Sequence, residues 1–202
     1  MQMTSIYLIR HGETDWNLQG RIQGREDIPL NAHGLRQAED AARLLMGCGC
    51  RAVYSSPLKR ALVTAGAIAR FLGIGDVIVL PEFIERDFGR VSGLTPEERK
   101  KLKQAGAETG AEPLEALKAR GLAACAKIAR ARPGQSVAVV SHGALINAIL
   151  SAVSGGEYGT GKTVLFNGGV SLLRGEEGRW TVPYYNRALR PPEHPPTDIF
   201  TI

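Results

Sequence analysis

Apolar residues gather in short, sharply bounded runs that alternate with longer amphipathic stretches. Residues 5–10 form a β-rich run that closes on Arg10, His11 and Gly12. Helical spacing follows over residues 30–46, where Leu35, Ala38, Ala42 and Leu45 recur on one face. The alternation then repeats: residues 52–55 read as a short strand, Pro57 stands at a helix start, and an alanine-rich helix over 58–72 stops at Gly73. Residues 77–80 read as a third strand, and 81–93 as a loop without clear period.

Thr95-Pro96-Glu97-Glu98 has the form of an N-cap with proline at the first helical position, opening a short charged helix. A longer helix is expected over 112–130, with Pro113 near its start and Gly121 as a tolerated weak point. These two helices are expected to cover the 81–93 loop rather than extend a sheet. Residues 136–140 are nearly all apolar, as in a strand buried on both faces, and run through Ser141-His142-Gly143 into a helix over 144–153. Final strands are expected at 163–167, 170–174 and 180–184, with Asn167-Gly168-Gly169 and Glu177-Gly178 as turns and a proline-rich tail from residue 190 onward.

Strands alternating with helices imply an α/β fold, a three-layer α/β/α sandwich with a mostly parallel central sheet. The 202 residues suit a single domain spanning 1–202. Ligands of such sheets sit outside the carboxyl ends of the strands. Arg10-His11-Gly12 and Ser141-His142-Gly143, each at a strand end, are therefore expected to face one pocket.

Composition narrows the partners. Hydrophobic residues at 44% and charged residues at 22% are an ordinary globular balance. The 25 Lys and Arg against 20 Asp and Glu give a net charge of +5, which favours anionic ligands. The basic residues are scattered and aromatics are only 6%, so nucleic acid is not an expected partner. The first ten residues show no basic leader or small-residue cleavage site, and no run reaches the roughly 20 apolar residues of a membrane helix. A soluble, cytoplasmic protein is expected, with Cys48, Cys50 and Cys125 as reduced thiols. With no HExxH, no clustered carboxylates and no zinc spacing of cysteines, no metal or other cofactor is expected.

At Arg10-His11 a guanidinium fork matched to phosphate oxygens stands beside an imidazole able to attack phosphorus when neutral. Gly12 is expected to let a backbone amide approach the ligand. The longer string from Leu8 to Asn17, Leu-Ile-Arg-His-Gly-Glu-Thr-Asp-Trp-Asn, resembles the signature of the histidine phosphatase superfamily, also called the phosphoglycerate mutase-like family. Gly20-Arg21-Ile22-Gln23-Gly24, Ser55-Ser56-Pro57-Leu58-Lys59-Arg60-Ala61, Ile84-Glu85-Arg86-Asp87-Phe88-Gly89 and Ser141-His142-Gly143 follow in the family's order. The resemblance implies a phosphoglycerate mutase-like fold, His11 as nucleophile, Glu85 as proton donor, and Arg10, Arg60 and His142 as catalytic phosphate ligands. Asn17, Gln23 and the Gly143 amide become candidates for further phosphate or substrate contacts.

Glu82, three residues before Glu85, competes for the acid role, and Glu13 and Asp87 are expected to be electrostatic neighbours. His33 reads as a turn residue before a helix, and His194 belongs to the tail. Arg21 and Arg25 could steer anions to the mouth or simply be solvated. Gly156 to Thr163 matches GxxxxGK[ST], but it follows a helix and leads into a β-rich segment, so it reads as a loop rather than a nucleotide site.

The expected activity is hydrolysis of a small phosphorylated metabolite through phosphohistidine. The chain between Gly89 and Gln135 is short, without an evident long lid, which favours a phosphatase over the alternative, a cofactor-dependent phosphoglycerate mutase. An inactive phosphate-binding protein is the alternative of another class. Substrates such as α-ribazole phosphate or phosphoglycerate are not separated by the motifs, and the strand at 180–185 leaves a homodimer open.

Overall fold

The computed structural model describes residues 2–176 and 178–190. The proline-rich tail with His194, and Glu177 of the expected turn, lie outside the described residues. The elements in order are β1 (Thr4–Arg10), α1 (Asp15–Leu18), α2 (Ala32–Leu44), β2 (Cys50–Ser55), α3 (Lys59–Leu72) and β3 (Ile78–Val79). Two single 3-10 turns, Pro81–Phe83 and Gly89–Val91, precede α4 (Pro96–Gln104), α5 (Leu114–Ala131), β4 (Ser136–Ser141), α6 (Gly143–Val153), β5 (Val170–Glu176) and β6 (Arg179–Arg187).

The six strands of the described residues share one sheet in the order β3-β2-β4-β1-β5-β6. The first four of these run parallel, and β5 and β6 are antiparallel additions. Successive residues of β1 feed opposite layers because side chains alternate across a strand. Ile6 and Leu8 pack with Leu117, Ile128, Leu145 and Ile149 of α5 and α6. Tyr7 and Ile9 pack with Ala41, Leu45, Ala65 and Ile68 of α2 and α3. That is the expected three-layer sandwich, with its central strands buried on both faces.

Three expectations change. The apolar run 163–167 is not a strand. Its backbone groups go to side chains instead of a ladder: Asn186 Nδ2 donates to the Val164 carbonyl, Asn186 Oδ1 accepts from Phe166 N–H, and Arg10 donates to the Leu165 carbonyl. A four-residue helix, α1, sits inside the first motif, held by a capping box in which Thr14 and Asn17 satisfy each other's backbone. Gly121 is more than a tolerated weak point, since a Cβ there would lie 2.6 Å from Ile149 Cγ1, so the packing of α5 on Ile149 and Leu145 would have to shift.

The GxxxxGK[ST] segment is a loop closed on itself. Thr163 Oγ1 donates to Asn147 Oδ1 at 2.8 Å and accepts from Gly159 N–H at 3.1 Å, and Lys162 is exposed. At the sheet edge, Trp180, Val182 and Tyr184 of β6 turn inward against the two core clusters. Pro183, exposed in mid-strand, offers no N–H, which works against pairing of this edge with a second copy. Among the described residues no helix is long and apolar enough to cross a membrane.

Candidate active site

Parallel pairing of β1 with β4 places Arg10 opposite Ser141, so the two strands deliver His11 and His142 side by side. The His11 N–H donates to the Ser141 carbonyl at 3.0 Å, and the imidazole centroids stand 5.1 Å apart. Beyond β1 the chain passes α2 at a glycine-on-glycine contact: a Cβ on Gly12 would strike the Gly34 carbonyl, and one on Gly34 would strike the Glu13 carbonyl. The Gly12 N–H donates to Thr64 Oγ1 at 3.2 Å. Gly12 is therefore required by this crossing, and its amide is not the one offered to a ligand.

His11 is buried, and its Nδ1 lies 2.6 Å from the Gly12 carbonyl. A carbonyl only accepts, so Nδ1 carries the proton and Nε2 keeps the lone pair. Arg60 donates its Nε–H to that same Nε2 at 3.2 Å, which fits only the neutral ring. Burial, reinforced by Arg60 and Arg10, holds the His11 pKa well below its ordinary value of 6.5. The imidazole is thus poised as a neutral nucleophile at physiological pH.

The two arginines are fixed by backbone carbonyls rather than by carboxylates. Arg60 reaches from the first turn of α3 to the carbonyls of Glu26 and, at 2.8 Å, Gly24. Arg10 donates to the Leu165 carbonyl, while its buried Nε has no partner. Burial lowers both guanidinium pKa values to about 10, which leaves them charged near neutrality. Two guanidinium groups bound to carbonyls rather than paired with carboxylates, around a neutral imidazole, make a site for an anion.

Glu85 is 5% exposed and sits at the amino end of α6, where Ala144 and Leu145 donate their N–H groups to its carboxyl at 3.1 Å. A third amide, Arg86 N–H, donates at 2.8 Å. Burial raises the Glu85 pKa, and the three amides and Arg60 pull against it without cancelling it. A carboxyl whose protonated form is favoured by burial, beside a nucleophile, is fitted to give a proton and take one back.

Its loop is clamped from α5. Arg120 donates to the Glu82 and Ile84 carbonyls at 2.6 and 2.8 Å and grips Glu112 with Nε and NH2, both at 3.0 Å. Glu112 in turn accepts from Asp87 N–H through its carboxylate and from Arg86 Nε through its carbonyl. Ser141 Oγ donates to the Phe83 carbonyl at 2.8 Å, tying the loop to β4. Glu82 points elsewhere, paired with Lys127 at 2.7 Å, a contact that lowers its pKa. It does not border the pocket.

Arg10, His11, Asn17, Gln23, Arg60, Glu85 and Gly143 border one small pocket. Its free volume is about 20 Å³, room for roughly one water-sized sphere. Asn17 Oδ1 is committed to Thr14, which leaves the amide NH2 for the pocket. Gln23 Oε1 is buried without a partner. With Ala144 and Leu145 engaged by Glu85, the Gly143 N–H is the amide at this helix end that faces the pocket.

His142 is the exception. It is wholly buried behind His11, does not border the pocket, and places Nε2 2.7 Å from Ser56 Oγ. Of the two loop arginines, Arg21 also borders the pocket, whereas Arg25 is engaged by Asp87 and Glu112 at 3.5 Å. Glu13 lies near His33, at 3.5 Å, and accepts from Asn31 at 3.0 Å.

Residues 6–188 match the family model for the histidine phosphatase superfamily (branch 1). The chain is 40% identical over 184 residues to the uncharacterized phosphatase PhoE of Bacillus subtilis (strain 168), covering 91% of this chain and 95% of that one. It is 35% identical over 195 residues to a metal-independent phosphoserine phosphatase of Arabidopsis thaliana, covering 90% and 80%. Among solved structures, a phosphoserine phosphatase of Entamoeba histolytica in complex with phosphoserine superposes with a TM-score of 0.78 at 31% identity, covering 91% of this chain and 96% of that one.

Proposed function

The chain belongs to the histidine phosphatase superfamily, a family of phosphatases that work through phosphohistidine, and from that premise we propose that His11 carries the phosphoryl group in hydrolysis of a small phosphomonoester. One observation carries the assignment: Nδ1–H is held by the Gly12 carbonyl, so the lone pair of Nε2 is the atom directed at the arginine-lined pocket. In the first half-reaction the Nε2–P bond forms and the ester P–O bond breaks, and Glu85 gives its proton to the departing oxygen. In the second, Glu85, now a carboxylate, takes a proton from water as the water oxygen bonds to phosphorus and the N–P bond breaks. Arg10 and Arg60 neutralise the phosphoryl oxygens throughout, each worth about 3 kcal/mol of barrier, or roughly a hundredfold in rate. Asn17, Gln23 and the Gly143 amide, on the pocket wall, complete the phosphoryl contacts, with His142, behind His11, as the remaining candidate donor. No step in this scheme calls on a metal ion.

Hydrolysis is favoured over isomerisation because the segment between Gly89 and Gln135 is short and none of its residues borders the pocket. The substrate fits the class that relatives are named for, phosphorylated small acids such as phosphoserine. Arg21, at the pocket with its Nε on Gln19 and NH1 on the Gly93 carbonyl, is placed to meet a carboxylate on the leaving group. Three free thiols suit a cytoplasmic setting. The test is turnover of a phosphomonoester panel with chelator present, including phosphoserine and 3-phosphoglycerate with its bisphosphate primer. Phosphate release abolished by His11→Ala supports the proposal. Isomerised product without release would make the enzyme a mutase.

A further inference from the structure

His142 is fully buried, and one of its ring nitrogens, Nδ1, has no hydrogen-bond partner. The other, Nε2, lies 2.7 Å from Ser56 Oγ. Ser56 is itself fully buried, and its N–H donates to the Val140 carbonyl at 3.0 Å, which fixes it against the strand that leads into His142. Its hydroxyl oxygen already accepts from Leu58 N–H at 3.3 Å. Two arrangements satisfy the Ser56–His142 contact. If Nε2–H donates to the hydroxyl, the serine proton and the Nδ1 lone pair are both left unpaired out of reach of water. If the hydroxyl donates to Nε2, one group alone is unpaired, and it is an N–H donor.

We propose that Ser56 is a positioning residue that holds His142 as the Nδ1–H tautomer, so that its free N–H is offered to a phosphoryl oxygen during transfer at His11. The proposal rests on His11 as the phosphoryl carrier. The surroundings agree with it: the His11 ring centroid is 5.1 Å away, and burial with Arg60 keeps His142 neutral. A lone pair at Nδ1 would face the same oxygens with repulsion. An unpaired buried donor is otherwise rare in folded proteins, and a site that completes its hydrogen bonds only when substrate is present is a recognised reason for one.

The test is the ¹⁵N spectrum of histidine-labelled resting enzyme, with His142 assigned by comparison with His142→Gln. A pyrrole-like Nδ1 and pyridine-like Nε2 are expected, with that preference lost in Ser56→Ala and restored in Ser56→Thr. In Ser56→Ala, kcat should fall about tenfold or more with KM within about twofold, and Ser56→Thr should recover it. A pyridine-like Nδ1 in the wild type overturns the proposal, even if Ser56→Ala does not fold. So does an activity loss in Ser56→Ala with the tautomer unchanged. Failure of the His11 assignment would appear separately, as phosphate release that survives His11→Ala, and would leave the resting spectrum as it is.

Discussion

Arg60 donates its Nε–H to His11 Nε2 across 3.2 Å, so the group proposed to neutralise the phosphoryl oxygens rests on the atom proposed to attack. Its two other nitrogens are held by the Gly24 and Glu26 carbonyls. A lysine keeps the charge but cannot make this fork. Arg60→Lys is therefore expected to lower kcat/KM about a hundredfold, close to the loss in Arg60→Ala, in steady-state phosphate release.

The pH profile should depend on the leaving group. His11 must be neutral, and its pKa lies below 6.5, so its titration sets an acid limb in the activity. Glu85 must be protonated to assist a poor leaving group, and its pKa is raised, so alkyl phosphates should also lose rate as pH climbs past it. An aryl phosphate needs no such proton. For that substrate the kcat/KM profile should keep the acid limb and lose the alkaline one; matching alkaline limbs for both would contradict the role given to Glu85.

Arg120→Met removes the clamp on the Glu82–Ile84 backbone and leaves Glu112 with only the longer Arg25 contact and the Asp87 amide. Stability should drop by about 2 kcal/mol in denaturant titration, a moderate figure because the pair is partly exposed. Rates with alkyl phosphates should fall more than with aryl phosphates, since the loop being loosened carries the acid.

Acid sensitivity should come in part from the buried histidines. His11 and His142 have folded pKa values depressed below 6.5, so the unfolded chain binds more protons and stability is lost as pH falls from 6.5 toward the folded values. Each contributes a slope of about 1.4 kcal/mol per pH unit in that window. Glu85, raised by burial, acts with the opposite sign and offsets part of it. Unfolding free energies of His142→Gln should show a slope shallower by about one proton.

Gly34→Ala should be among the most damaging single-methyl changes, because the added Cβ meets the Glu13 backbone, which cannot swing away. A loss of about 3 kcal/mol or more is expected in thermal or denaturant unfolding.

Much of the site was legible in local sequence because its parts lie at strand ends and helix starts, where short motifs mark position. Arg10-His11 closes β1, Arg60 opens α3 and His142 precedes α6, and the parallel sheet assembles them without further instruction. What was illegible depends on partners distant in the chain. Nothing in the sequence marks Arg120 as the holder of a loop 36 residues away, or Asn186 as the satisfier of a run 22 residues before it. That second contact is why Val164-Leu165-Phe166, apolar enough for a strand, is not one. Ser56 stood in a recognised motif, yet its bond to His142 appears only once β2 and β4 are side by side. Gly12 was read correctly as a close approach but to the wrong neighbour, Gly34 rather than a ligand.

The central claim is that His11 accepts the phosphoryl group, and trapping it is the most direct test. Enzyme quenched in alkali during turnover of a slow phosphomonoester, then digested and analysed by mass spectrometry, should show phosphate on the peptide containing His11. The modification should be acid-labile and should be absent in His11→Ala. Phosphate on another residue, or sustained turnover with His11 replaced, would contradict the account.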